Sequence, residues 1–374
     1  MRILQVSESF ATGTMEVVRM VAEGAAHEGH RVAIAYGKRP ETPSGLRQRV
    51  GADVDLIALP WTGRSVGAQL RTVRELRRLC DGWSPDVIHL HSSFAGFVGA
   101  LGIASFGPTI YTPHSYSFLG AESGPRRATY RLAERLIARR VTMVGAVSQH
   151  EARLAQSVGA RRVHVVPNGI PELDRAGSTH PPREASARPS IVAAGRIVPQ
   201  RRPVSTARIL RRLSHLADVC WIGGPGPDLR LEESVRDLGI PVTGWVGREE
   251  AVRRLSGATV LLNWSAWDSH PLSVLEAMAF DVLVIGSDIE ANRELLGANQ
   301  IAATEEEAVR LVCGILDDET ERRMMLEDQR RRAARFGSTR MVRDWLRVYR
   351  ALSDRATCRL IDGGRVGLAH PLRA

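Results

Sequence analysis

A chain of 374 residues with 44% hydrophobic and 25% charged side chains has a globular composition, which excludes a disordered or collagen-like protein. It is longer than a single core commonly grows, so two domains are expected. The formal net charge is +10, from 51 Lys+Arg against 41 Asp+Glu, which points to an anionic partner without choosing among nucleic acid, lipid and a phosphorylated small molecule.

Taken in chain order, short apolar runs alternate with amphipathic stretches. Strands are expected at residues 2–6, 30–36, 55–59, 87–91, 109–112, 143–147 and 163–166, with helices between them, for example at 14–28 and 66–80. Such alternation predicts a parallel sheet covered on both faces. Residues 178–190, rich in Pro, Ser and charge, break the pattern and read as a linker. A second series follows, with strands expected at 190–194, 219–222, 242–245, 259–263 and 282–285. Residues 305–352 read as mostly helical, and the last twenty or so, with Gly363 and Gly364, as a fraying tail. No repeat of 20–50 residues is visible. The fold class is therefore α/β, with two doubly wound domains. In such sheets ligands bind beyond the carboxyl ends of the strands.

The remaining composition narrows the setting. Cys80, Cys220, Cys313 and Cys358 lie far apart without a C-x-x-C pair, which argues against a zinc site or a disulfide framework and fits a reducing cytoplasm. No apolar run reaches the roughly 18–20 residues of a membrane span. The N-terminus reads as a first core strand, not a signal segment. Lys38 is the only lysine. Codon bias in a GC-rich genome is the plain reading, and the arginines present planar donor forks suited to phosphates.

Several strand-end loops carry candidate chemistry. Gly13 lies in a Gly/Thr turn before a helix, a place where backbone N–H groups and the helix dipole favour a phosphate. The dinucleotide fingerprint G-x-G-x-x-G is missing there, which disfavours hydride transfer. His89, His91 and His114 end neighbouring strands, but no acidic or thiol partner stands at metal-ligand spacing. His114 reads as a hydrogen-bonding or acid–base residue of a cleft, or as a satisfied histidine of the core wall. Ser65 lies in a literal G-x-S-x-G, which raises a serine-hydrolase alternative. A nucleophile elbow, however, needs the strand to feed the serine directly, and residues 60–62 intervene. Arg196 and Arg201 are five apart in one turn and could clamp a diphosphate, or could be solvated surface arginines. In the stretch Asp268-Ser269-His270-Pro271-Leu272-Ser273, Pro271 suits the first turn of a helix. The N–H groups of Leu272 and Ser273 would then face an anion, Glu276 would stand beside the same opening to accept two ribose hydroxyls, and Asp268 would reach a sugar.

These residues together resemble the retaining GT-B glycosyltransferases of family 4, over essentially residues 1–352. The family's E-x7-E signature appears as Asp268 and Glu276, its GR-x4-K pair as Arg196 and Arg201, its T-x-H histidine as His114, and its V-P-N-G segment as Val166-Pro167-Asn168-Gly169. The stretches at 146–152 and 287–295 are similar to members that build bacterial surface polysaccharides. The resemblance implies two Rossmann-like domains facing a central cleft: an acceptor-side domain at 1–172, a linker at 173–189 and a nucleotide-sugar-binding domain at 190–335. It also implies a C-terminal helix at 336–354 packing back on the first domain, and a tail at 355–374. It implies that Arg196, Arg201, Gly13, Leu272 and Ser273 hold the donor diphosphate and Glu276 the ribose, and that Ser269, His270 and Pro271 contact the donor sugar. His114 and Asp268 would be the catalytic pair. No cofactor and no metal are implied, since the nucleotide sugar, UDP-linked rather than GDP-linked, is a co-substrate. Two departures stand out: Asp268 replaces a glutamate and Arg201 replaces a lysine. The first keeps open a catalytically impaired protein that binds a nucleotide sugar or a partner without turnover.

The positive charge is unevenly spread. Residues 101–150 hold six basic and two acidic side chains, whereas residues 251–300 hold three and six. Arg127, Arg131, Arg135 and Arg139 recur at i, i+4 and form a helical stripe beside an apolar face of Leu132, Ala133, Leu136 and Ile137. That pattern reads either as a contact with an anionic membrane surface near a polyprenyl-linked saccharide acceptor or as a solvated helix face. A nucleic-acid partner is not expected. The expected location is the cytoplasm, with peripheral attachment to the inner face of the cell membrane.

Overall fold

The computed structural model of the chain describes residues 1–8, 10–38, 42, 44–61, 65–121, 124–171 and 188–354. The first sheet contains β1 (Arg2–Ser7), β2 (Arg31–Gly37), β3 (Val54–Leu59), β4 (Val87–His91), β5 (Thr109–Thr112), β6 (Met143–Ala146) and β7 (Val163–Val165). Their order is β3-β2-β1-β4-β5-β6-β7, and all neighbours are parallel. The order reverses between β1 and β4, which opens a crevice at their carboxyl ends. β4 is buried at every position, because helices cover both faces of the sheet, so its sequence runs apolar instead of alternating. These helices are α1 (Thr12–His27), α2 (Leu46–Arg49), α3 (Val66–Trp83), α4 (Ser93–Gly102), α5 (Pro125–Arg140) and α6 (Gln149–Ser157).

The second sheet contains β8 (Ser190–Ala194), β9 (Asp218–Ile222), β10 (Val260–Asn263), β11 (Leu283–Ser287) and β12 (Ile301–Ala302), in the parallel order β12-β11-β10-β8-β9. Its helices are α7 (Pro203–Leu213), α8 (Arg230–Asp237), α9 (Arg248–Ser256), α10 (Leu272–Ala279), α11 (Glu290–Leu295), α12 (Glu305–Asp317) and α13 (Glu319–Ala333). The strand expected at 242–245 does not form. Val242 and Gly244 make only isolated bridges to Trp221 and Gly223, and Gly244, at φ 71°, turns the chain out of the extended conformation. β12 was not anticipated, since two residues are too few to show a period. Of the expected linker at 173–189, all but the last two residues lie outside the described residues, as does the whole tail at 355–374 with Cys358.

The chain crosses between the domains through Asn168-Gly169-Ile170 and crosses back through Phe336-Gly337-Ser338. The two crossings are bonded to each other: Ile170 N–H donates to Phe336 O (3.0 Å), and Ser338 N–H donates to Ile170 O (2.7 Å). The return leads into α14 (Ser338–Ser353), which lies against α1 and buries Met341, Trp345, Leu346 and Tyr349 in the core of the first domain. Gly169 has no room for a side chain, because a Cβ would sit 2.6 Å from Gly337 O and 2.8 Å from Ser338 Cα. Both obstacles are backbone, so the crossing itself would have to shift. We expect Gly169→Ala to lower the free energy of unfolding by about 1–3 kcal/mol, the usual penalty of overpacking, read as a lower urea midpoint; an unchanged midpoint would show that the paired crossings can part freely.

Candidate active site

The donor side is built from the loops after β8 and β10. β8 ends at Gly195, whose φ of 115° suits only glycine and whose carbonyl accepts from Trp221 Nε1–H (2.8 Å). A short 3₁₀ turn at Pro199–Arg201 then aims Arg201 back under the loop after β10. Its Nη1 donates to Asn263 Oδ1 (2.9 Å), Ser265 Oγ (2.8 Å) and Asp268 Oδ2 (2.8 Å). Among the described residues, its Nε and Nη2 have no partner. Asn263 is fixed in turn by its Nδ2, which donates to Asn292 Oδ1 (2.8 Å). Arg196, half-buried, opens the same turn.

Pro271 is the residue that caps α10, with extended backbone, and does not sit inside its first turn as expected. Val274 and Leu275 N–H return to Pro271 O, which leaves the N–H groups of Leu272 and Ser273 at the open end of the helix. Glu276 follows one turn on, buried, and its Oε1 accepts from Arg248 Nη2. Burial pushes the Glu276 carboxyl above the usual range, Arg248 opposes that, and Glu16 of α1 adds to it from across the cleft. Arg248 escaped the sequence reading. It opens α9, directly after the segment expected to be a strand, and no local motif marks it.

The acceptor side is built from β1, β4 and the loop after β5. His114 and Ser115 have φ of 51° and 97°, a left-handed excursion uncommon outside glycine. The Gln5 side-chain Oε1 lies 2.9 Å from His91 Nε2, and His91 Nδ1 lies 2.9 Å from His114 Nε2. With Oε1 as an acceptor, His91 donates through Nε2–H and accepts from His114 Nε2–H, which puts the lone pair of His114 on Nδ1. Burial lowers the His114 pKa to about 4, so the ring is neutral at pH 7. His89 uses both nitrogens as well, on Tyr349 Oη (2.7 Å) and Thr112 Oγ1 (2.8 Å). Among the described residues no group of three His, Cys, Asp or Glu is placed to hold a metal.

The two sides meet. A Cβ on Gly13, which is exposed at the start of α1, would lie 3.6 Å from Leu272 Cδ1. Asn168 Nδ2 donates to His270 O (2.9 Å). His270 is buried edge-on to Phe336, with Nδ1 unpartnered among the described residues and its pKa pushed down by burial to about 3. Ser269 is buried, and its hydroxyl donates to Glu151 Oε1 across the domain boundary (2.8 Å). Glu294 in α11 accepts from Gln149 N (2.9 Å) and His150 N (2.5 Å), the first turn of α6. Neither Glu151 nor Glu294 was singled out in the sequence, because each bonds to a loop more than a hundred residues away.

Two further motifs are settled here. Ser65 caps α3, its Oγ accepting from Ala68 N (3.3 Å), so the G-x-S-x-G match is a helix start, with 62–64 outside the described residues. On α5, Arg127, Arg135 and Arg139 are exposed. Arg131 leaves the stripe: it is half-buried, with its guanidinium 5.1 Å from the Phe118 ring, a contact with the turn before α5 that covers this side chain alone. Ile137 turns into the core, whereas Leu132 and Leu136 are exposed.

Two family models match the chain: a glycosyl transferase 4-like domain over residues 12–169 and glycosyl transferases group 1 over residues 188–318. Between them they account for well over half of it. A Klebsiella pneumoniae protein described as an uncharacterized 41.2 kDa protein in the cps region is 24% identical, over 94% of this chain and 100% of its own. Among solved structures, sucrose-phosphate synthase from Thermosynechococcus elongatus superposes with a TM-score of 0.77 at 19% identity, over 97% of this chain and 100% of its own. Anabaena HepE in complex with UDP and glucose gives 0.77 at 15%, over 94% and 100%. WaaG, described as a glycosyltransferase involved in lipopolysaccharide biosynthesis, gives 0.68 at 15%, over 97% and 100%. These neighbours share the two-domain GT-B fold.

The buried histidines set the acid stability. Burial lowers the pKa of His89, His91, His114 and His270. In the unfolded chain they take up protons near 6.5 and in the folded one only well below, so their contribution is whole above that value and is lost as pH falls toward 4. Glu134 works the other way. It accepts from Ser93 Oγ and Tyr111 Oη, and burial raises its pKa from 4.5 to about 7, so it loses stability as pH rises through that window. Burial also raises the Glu151 and Glu276 carboxyls, in the same sense. With four histidines against three carboxyls, the urea midpoint should be higher at pH 7 than at pH 5, and Glu134→Gln should widen the gap. A midpoint that falls between pH 5 and pH 7 would contradict this balance.

Proposed function

Since the chain belongs to the GT-B glycosyltransferases whose two domain models it matches, we propose that it moves a sugar from a nucleotide-sugar donor to a saccharide acceptor with retention of configuration. The observation that carries this reading is the cluster at the mouth of α10. There an arginine with one edge pinned and one edge open, two helix-end N–H groups and a buried carboxylate one turn on face the same space. Arg196, Arg201, Gly13 and the N–H groups of Leu272 and Ser273 would hold the diphosphate, with guanidinium forks and the helix dipole neutralising it in place of a metal. Glu276 would accept the ribose hydroxyls. Asp268, His270 and Pro271 would border the donor sugar opposite His114, with Ser269 behind them. UDP is favoured over GDP, which accords with the neighbour described in complex with UDP and glucose.

In the reaction the acceptor oxygen bonds to the anomeric carbon as the bond from that carbon to the diphosphate breaks, and the acceptor proton passes to the departing phosphate oxygen. Preorganised donors aimed at the leaving oxygens lower the barrier most where water is excluded. A polar acceptor suits the first domain, where Ser92 Oγ, Ser115 Oγ and Tyr116 Oη are buried without a hydrogen-bond partner among the described residues. The relative from a cps region supports a place in surface-polysaccharide assembly.

We expect a UDP-sugar to raise the melting temperature more than GDP-, ADP- or CDP-sugars, because a ligand of the folded state stabilises it by mass action. Glu276→Ala and Arg196→Ala should abolish both donor turnover and that shift while the free protein still unfolds in one cooperative transition. Full turnover by either variant would sink this site.

The acceptor is proposed to be lipid-linked. Arg135 and Arg139 share one face of α5 with Leu132 and Leu136, the leucines 58% and 44% exposed. Phe97 and Leu101 of the adjoining α4 are exposed too. Basic and apolar groups on one face suit the inner, anionic leaflet of a membrane, and no helix of the described residues is long and apolar enough to cross one. Co-sedimentation with phosphatidylglycerol vesicles should be lost when Arg127, Arg131, Arg135 and Arg139 are neutralised together. Binding that survives the change would overturn this part.

A further inference from the structure

We propose that Glu151 is a positioning residue for transfer: one buried carboxylate that ties the acceptor-side loop of His114 to the donor-side loop of Asp268. The inference rests on the roles given above to those two loops.

Glu151 lies in the first turn of α6 and is fully buried. Its own N–H donates to the capping Ser148 Oγ (3.1 Å). The carboxylate meets three donors from three segments. Val147 N–H donates to Oε2 (2.8 Å), while Ser115 N–H and Ser269 Oγ–H both donate to Oε1 (2.8 Å each). Only a group that accepts on both oxygens can answer three converging donors. An amide would set its NH₂ against Val147 N–H, or against Ser115 N–H and Ser269. The position beside the positive end of α6 adds to the preference for an anion.

The two ends of the tie are the residues next to the proposed chemistry. Ser115 follows His114, and the pair occupies left-handed backbone that is strained outside glycine and persists only when neighbours hold it. The Ser115 N–H bond is such a hold. Ser269 follows Asp268, and its N–H donates to Asp268 Oδ1 (3.1 Å), the carboxylate whose other oxygen binds Arg201. One oxygen atom of Glu151 therefore sets the spacing between the histidine loop and the acid loop. It does so only with the domains closed, since Ser269 and Ser115 belong to different domains. Misplacement of reacting groups by about 1 Å can lower a rate 100-fold, so a bond that fixes this spacing bears on the rate more than on donor affinity.

The test uses the full chain in two measurements. In hydrogen exchange, Glu151→Gln should speed exchange at least tenfold in both 113–119 and 267–271. Ser269→Ala, a change in the second domain, should speed it in 113–119 of the first. With UDP-glucose as the probe, both variants should lower the saturated rate of UDP release at least tenfold and change the donor KM less than threefold, and the double variant should be no slower than the slower single one. Exchange in 113–119 that ignores Ser269→Ala overturns the proposal. So does a saturated rate that stays at the wild-type level while exchange quickens, because the tie would then hold the loops without bearing on chemistry. Glu276→Ala separates the two readings: if it releases UDP like the wild type, the donor-site reading fails. If it is inactive while Glu151→Gln and Ser269→Ala behave as the wild type in both measurements, the tie alone fails.

Discussion

The molecule depends on a pair of crossings. The chain passes between its domains at Gly169-Ile170 and at Phe336-Ser338, and these two segments hydrogen-bond to each other. The junction is thus a two-stranded strap, and Gly169 is the residue that lets its strands touch. From that constraint the rest follows. With the strap fixed, α14 reaches back to bury Trp345 and Tyr349 in the first core, Asn168 reaches forward to the carbonyl of His270, and the start of α1 comes to face the start of α10. The carboxyl ends of both sheets then look into one cleft, the arrangement in which strand-end loops can act on a ligand together.

Four of the carboxylates that border the cleft are fixed by ion pairs or hydrogen-bond donors, two of them by donors of the other domain. Arg201 meets Asp268, Arg248 meets Glu276, and Glu151 and Glu294 take backbone or hydroxyl donors from the facing element. This is what burial demands, because an isolated charge out of water is too expensive to keep. It also joins the two departures from the family pattern into one. Asp268 is a methylene shorter than glutamate, and Arg201 is longer and more branched than lysine. Together they still close a 2.8 Å contact, and the fork leaves a second edge of the guanidinium available. A lysine has a single nitrogen to share.

What the sequence disclosed and what it hid divide along physical lines. Buried parallel strands are runs of branched apolar residues, so β1, β4, β5 and β8 were legible nearly to the residue. The stretch at 242–245 looks the same by composition, yet Gly244 and the exposed Trp245 make it a loop. Residues set by one loop and one helix start, such as Arg201, Asp268 and Glu276, were visible because their spacing is local. Arg248 and Glu151 were not, because their roles arise from contacts 28 and 118 residues away, where no local period leaves a trace. The α5 stripe shows the intermediate case. Its spacing was legible, but the side on which the core lies was not, so Arg131 and Ile137 were placed on the wrong face.

The histidine arrangement bears on where the acceptor's proton can go. With Gln5 Oε1 as the acceptor that ends the chain, His114 donates its Nε2–H to His91 in a hydrogen bond and keeps the lone pair on Nδ1, and burial holds its pKa near 4. At neutral pH such a ring accepts a hydrogen bond from a sugar hydroxyl but holds an added proton poorly, since a general base works best with a pKa close to the operating pH. Asp268 has one oxygen on Arg201 and the other on Ser269 N–H, so each of its oxygens already accepts a hydrogen bond that stabilises the charged form. Neither member of the pair is therefore well suited to take the acceptor's proton, whereas the departing diphosphate gains basicity as its bond to the sugar breaks. Within the proposed reaction, the protein's part is then to hold the two substrates on one face of the sugar and to neutralise the leaving group. That division of labour accords with retention of configuration, and it explains why the cleft contains so many fixed donors and so few groups free to carry a proton.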